Sequence, residues 1–143
     1  MFAELALCAT VLLAADPAGQ AAPAPEAEKP QVELVPVEEN IIHYTNHHRQ
    51  RYGLPPLEID PGLLESARKH ATWMTQYRTL QHTRAGVAEN IAMGQRNSEE
   101  AVRDWMNSSG HRANILNRRH RRIGVAAYQM PGGRIFWCQQ FRP

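Results

Sequence analysis

The sequence predicts an α+β fold in which helices come first and an antiparallel hairpin closes the chain. Three observations carry this expectation. Apolar residues recur at helical spacing in three successive segments between residues 38 and 106. Two strand-like runs follow, 123–129 and 134–141. Met130-Pro131-Gly132-Gly133 joins them with turn-forming residues, which brings the runs side by side.

The first helix is read over residues 38–52, where Ile41, Tyr44, Thr45 and His48 share a stripe. Gly53 and then Pro55-Pro56 end it, because proline cannot continue a helix. For the second, Asp60 is the expected N-cap with Pro61 at the first helical position. Leu63, Leu64, Ala67, Ala71, Met74 and Tyr77 then recur on its inner face. Ser98 is read as the cap of the third helix, with Glu99 and Glu100 in the first turn, where the macrodipole favours acids. Ala101, Val102, Trp105 and Met106 point inward, and Gly110 is expected to stop the helix.

A chain of 143 residues with 43% hydrophobic content holds one ordinary core and is too short for two domains of typical size. Residues 1–15 are read as a signal segment: 5–15 are nearly all apolar, end in Leu13-Ala14-Ala15, and are too short to span a bilayer. No Lys or Arg precedes them, which departs from the usual export signal. Leu5-Ala6-Leu7-Cys8 also admits a lipoprotein reading, ranked below simple cleavage because Leu7 stands where a small residue is wanted. Residues 16–36 are Ala, Pro and Glu with little else, so they are expected to form a disordered tether. Residues 37–143 are the expected domain.

The first 36 residues hold five acids against one base, so the rest of a chain of net charge +2 carries +6. Two cysteines, Cys8 and Cys138, do not make a disulfide framework. Cys138 lies among Ile135, Phe136, Trp137 and Phe141 and is expected to behave as a small buried hydrophobe.

Four segments then carry a resemblance. Asn46 and Arg49 fit an Asn-x-x-Arg pattern followed by Gly53-Leu54-Pro55-Pro56-Leu57. Next come Ala88-Glu89-Asn90-Ile91-Ala92 and the run from Trp105 through Gly110-His111-Arg112 to Ala113-Asn114-Ile115-Leu116. The last strand contributes Trp137, Gln139 and Phe141. In order and content these resemble the CAP (SCP-like) superfamily of cysteine-rich secretory, antigen-like and plant pathogenesis-related proteins, in its bacterial form. The resemblance implies a three-layer α-β-α sandwich with an antiparallel sheet. It also implies a shallow cleft lined by His82, Glu89 and His111. Three features depart from the family pattern: Ala88 replaces a usual Gly, Ser108 stands where many members carry a second cleft glutamate, and the disulfides of animal members are absent.

Two imidazoles and a carboxylate can hold a divalent metal such as zinc, with His82 and His111 as ligands and water completing the shell. The same trio, His82, Glu89 and His111, can supply a general acid and base for hydrolysis, or form a hydrogen-bonded network without a ligand. Ser108 lacks the sequence context of a nucleophile elbow and is read as a local capping or hydrogen-bonding group. His43, His47 and His48 are assigned to a solvated helix face, and His70 and His120 receive no role. Trp73 and Trp105 are placed in the core or at the cleft wall. Arg112, Arg118, Arg119, Arg121 and Arg122 form the densest basic run, suited to weak association with acidic surfaces. No nucleic-acid motif accompanies it, and nucleic acid is not an expected partner. The expectation is an exported or cell-envelope protein whose cleft binds a small ligand, a lipid or an envelope polymer. Metal-assisted hydrolysis is the first alternative and a structural interaction domain the second.

Overall fold

The computed structural model describes residues 32–143. The expected signal segment and most of the expected tether lie outside them. The described chain orders its elements as α1 (Pro36–Arg51), β1 (Glu58–Ile59), α2 (Pro61–Tyr77), β2 (Ala88–Met93), α3 (Ser98–Asn107), α4 (Ser109–Ile115), β3 (Arg122–Gln129) and β4 (Ile135–Arg142). The strands form one sheet in the order β1-β3-β4-β2. β3 and β4 make the expected hairpin, β2 pairs antiparallel with β4, and only the two-residue β1 runs parallel, beside β3.

Because successive strand residues face opposite ways, the sheet supplies two cores. Phe136 and Cys138 of β4, Ala126 of β3 and Ile91 of β2 meet Ala67, Ala71 and Met74 of α2. On the other face, Trp137 and Phe141, Ile123 and Val125, and Ala92 meet Ile41 of α1 and the Ala101, Val102, Trp105, Met106 stripe of α3. The result is an α-β-α sandwich, with α2 as one layer and α1, α3 and α4 as the other.

Gly124 sets the spacing between α2 and the sheet. A Cβ there would sit 2.1 Å from the Leu63 carbonyl carbon and 2.3 Å from the Leu64 nitrogen, so only glycine lets the first turn of α2 rest on β3. Asp60 fixes that turn. Its carboxylate accepts from Leu63 N at 2.9 Å, as a cap should, and from Arg142 Nε at 2.9 Å.

Several boundaries differ from the sequence reading. α1 begins at Pro36 rather than residue 38, since proline suits a first helical position and Glu38 reaches back to Val35 N at 3.1 Å. The expected start of the domain, Val37, therefore falls inside this helix. Asn97, not Ser98, caps α3, its side chain accepting from Glu100 N at 2.9 Å. α3 stops at Asn107, and Gly110 lies within α4, so glycine here does not end the helical region. Tyr77, expected on the inner face of α2, is 61% exposed, turned to the flank where its ring meets that of Trp73.

Candidate functional site

The site is built on β2, which lies at one edge of the sheet. Its alternation sends Glu89 to the α2 side and Asn90 to the α4 side, so two adjacent residues organise the two sides of the sheet edge.

On the α2 side, the Glu89 carboxylate is only 3% exposed. A charge buried that deeply is tolerated where donors surround it. Oε1 accepts from His82 Nδ1 at 2.8 Å and from Thr83 N at 2.9 Å, while Oε2 accepts from Gln140 Nε2 at 2.9 Å. The His82 proton is thereby held on Nδ1, which leaves the Nε2 lone pair free on a side chain that is 60% exposed. His70 completes this half. Its Nε2 donates to Gln81 O at 2.7 Å and lies 3.8 Å from Glu89 Oε2, and its ring stacks parallel to Trp73 with centroids 5.8 Å apart.

On the α4 side, Asn90 is fully buried. Its Nδ2 donates to His111 O and to Gln139 Oε1, both at 3.1 Å, and its Oδ1 accepts from Asn114 Nδ2 at 2.9 Å. Gln139 donates in turn to Thr45 Oγ1 at 2.6 Å. This chain pins α4 and α1 to the sheet and fixes the backbone that carries His111. Burial lowers the His111 pKa from its ordinary value, and the nearby His82 lowers it further.

Ser108 is half-buried at the junction between α3 and α4, with its backbone N–H on Trp105 O at 3.2 Å and its carbonyl accepting from Arg112 N at 2.8 Å. Its hydroxyl makes no cap bond. Among the described residues, no three His, Cys, Asp or Glu side chains stand close enough together to hold a metal ion by themselves. Glu89 is committed to its donors, so among the described residues this site offers a cation two imidazoles at most. Cys138 is wholly buried beside Glu89, and burial first, then the carboxylate, pushes its thiol pKa well up, which keeps it inert.

His70 is the site residue the sequence did not single out. It lies next to the inner stripe of α2, three residues before Trp73, and only the return of Gln81 and Glu89 gives it partners. His120 also acquires a place: it stacks on Phe141 at 5.2 Å and donates from Nδ1 to Asn114 O at 3.0 Å. His43 and His47 lie exposed on α1. In the arginine run, Arg122 pairs with Glu58 at 2.9 Å and Arg121 donates to the His120 carbonyl at 3.0 Å, while Arg112, Arg118 and Arg119 are exposed.

Residues 42–141 match the family model described as CAP, the cysteine-rich secretory protein family. The chain belongs to this family. Its CAP domain is 39% identical to the uncharacterized protein YkwD of Bacillus subtilis, over 73% of this chain and 46% of that protein. It is 31% identical to the uncharacterized membrane protein YlbC of the same organism, over 73% of this chain and 34% of the relative. The chain thus spans less than half the length of the curated relatives it matches. Among solved structures it resembles an extracellular SCP-domain protein of Bacillus anthracis, at 26% identity and a TM-score of 0.66, covering 78% of this chain and 44% of that one. It also shares its fold with an outer surface protein of Borrelia burgdorferi, at 23% identity and a TM-score of 0.65, covering 75% of this chain and 94% of that one. Among the described residues no helix is long and apolar enough to cross a membrane.

Proposed function

We propose that the chain is an extracytoplasmic ligand-binding CAP module whose cleft is anchored by His82 and His111. The placement outside the cytoplasm is supported by the apolar segment 5–15 and by the resemblance to an extracellular and to an outer-surface protein. The observation that carries the binding reading is the bond from His82 Nδ1 to the buried Glu89 carboxylate. It fixes the tautomer and leaves Nε2 free at an open hollow of about 290 Å³ that His82 lines together with His70, Trp73 and Thr83, and that His111 does not line.

A divalent cation such as zinc suits this donor set. His82 Nε2 and an imidazole nitrogen of His111 would hold it, water would fill the remaining positions, and Glu89 would act on His82 from behind, as carboxylates do for ligating histidines. Bound there, the ion would supply a Lewis-acidic centre for an oxygen of the ligand. Two protein ligands predict modest affinity.

Calorimetric titration of zinc into the full chain tests this, beside His82→Ala and His111→Ala. Either change should remove most of the affinity; an equal heat in parent and variants would mean that zinc binds elsewhere. One observation favours hydrolysis as a second reading, since a carboxylate holding Nδ1 is also how a general base is oriented. Among the described residues no imidazole bonds the Ser108 hydroxyl, so this reading rests on activated water rather than a serine nucleophile.

A further inference from the structure

We propose that Trp73 and Tyr77, exposed on α2 beside the largely buried His70, form a stacking subsite for a pyranose glycan that is continuous, through Trp73, with the hollow that His82 lines. The inference rests on the ligand-binding reading of that cleft and names the class of ligand.

Trp73 and Tyr77 are 36% and 61% exposed, whereas Trp105 and Trp137 are each 1% exposed. Spacings of three and four place His70, Trp73 and Tyr77 along one flank of α2, with His70, whose side chain is only 10% exposed, next to the Ala67, Ala71, Met74 stripe and the other two rings facing outward. The three rings form a ladder: His70 lies 9° from parallel to Trp73, and Tyr77 follows with its centroid 5.2 Å from the indole. His70 is itself tied to the Gln81 carbonyl, so the indole is backed by a fixed plate. A rigid aromatic held open to solvent loses little entropy on binding.

Two hollows, of about 290 and 480 Å³, share His70, Trp73 and Thr83, so a ligand crossing the indole occupies both. Their remaining walls are mostly polar or charged, with Gln81, His82 and Arg84 on one side and Glu65, Ser66 and Lys69 beside Gly62 on the other. A lipid tail would need apolar walls on several sides. A pyranose instead offers a flat face of C–H groups to the electron-rich indole and a rim of hydroxyls to the polar side chains. Stacked nucleobases would fit the rings but also need unpaired cations for the phosphates. Lys69 is engaged by Glu65 at 2.6 Å, which leaves Arg84 as the free cation among the residues lining the two hollows. The paired charge and the polar walls favour a neutral sugar chain of at least two units.

The test uses the full chain with a chelator present, so that its failure is separate from failure of the zinc reading. Tetramers of N-acetylglucosamine and of glucose are titrated while tryptophan emission is followed. With Trp105 and Trp137 buried, a saturable change reports on Trp73. Calorimetry should then show affinity weakened about tenfold or more by Trp73→Ala and less by Tyr77→Ala, with Trp73→Phe between. Both positions are exposed, so melting temperatures of the variants should match the parent. No saturable response to either tetramer up to about 10 mM would overturn the proposal. So would undiminished binding by Trp73→Ala, or a response confined to phosphatidylcholine vesicles or to an oligothymidylate.

Discussion

Arg49 shows how one buried residue can stand in for a missing disulfide. It is fully buried, and its guanidinium donates to the carbonyls of Pro55, Ile115, Asn117 and His120 at 2.8 to 3.3 Å. No carboxylate is among these partners, so the charge is balanced by carbonyl dipoles at the end of α4 and the two loops it gathers. Arg49→Ala should cost about 3 to 5 kcal/mol, since four acceptors and a cavity are left behind. Arg49→Lys should recover only part of that, because an ammonium cannot reach all four carbonyls from one position. Urea midpoints measure both, and a lysine variant equal to the parent would contradict the fork geometry. Histidines set the pH response. Burial lowers the pKa of His120 and His111, with the Arg49 charge adding to the first and His82 to the second. The unfolded chain therefore takes up protons before the native state does as pH falls below about 6.5, the ordinary value. Stability should be full above that pH and decline as pH falls towards the lowered native values. The urea midpoint should drop between pH 7 and pH 5, and His120→Gln should flatten the slope; a level parent profile would contradict the assignment.

At the scale of elements, legibility followed periodicity. α2 and the closing hairpin could be read from spacing alone, because a helix packed on one face and strands joined by Gly132-Gly133 write their period into the chain. β2 could not: Ala88-Glu89-Asn90-Ile91-Ala92 is buried on both faces, with Glu89 and Asn90 polar for the sake of the site. Neither the alternation of a half-buried strand nor an apolar run is present, and only the family resemblance pointed to it. The α3–α4 junction was misplaced at Gly110 for a similar reason, since Ser108 breaks the helix without a glycine or proline. Gly124 is the hidden constraint of β3. Gly124→Ala should destabilise by about 1 to 3 kcal/mol or more, because the added methyl meets backbone that cannot rotate away. A chemical denaturation curve indistinguishable from the parent would show that α2 is not seated on that strand as described.

At the scale of the molecule, the two cores on either side of the sheet hold the site strand in place. Trp105 is 1% exposed and donates to Ile91 O at 3.2 Å, linking α3 to the site strand. Trp105→Ala should lower stability by about 3 to 5 kcal/mol, and more than His111→Ala, whose side chain is partly wet. Reversal of that order would favour a structural network over a binding cleft. The sequence indicated His82, Glu89 and His111 through the family motifs, and the fold brings the carboxylate and one imidazole into contact. What it could not convey was the division of labour, in which Glu89 is spent on positioning and His70 backs the exposed Trp73.

The most direct test of the central reading is thermal stabilisation by zinc at neutral and mildly acidic pH, with His82→Ala and His111→Ala alongside. A cation that binds only the native state raises the melting temperature by mass action, and imidazoles must be neutral to donate. The expected result is a zinc-dependent rise at about pH 7.5 that shrinks near pH 5.5, below the ordinary histidine value, and is largely lost in each variant. No rise in the parent, or the same rise in all three proteins, would contradict the account.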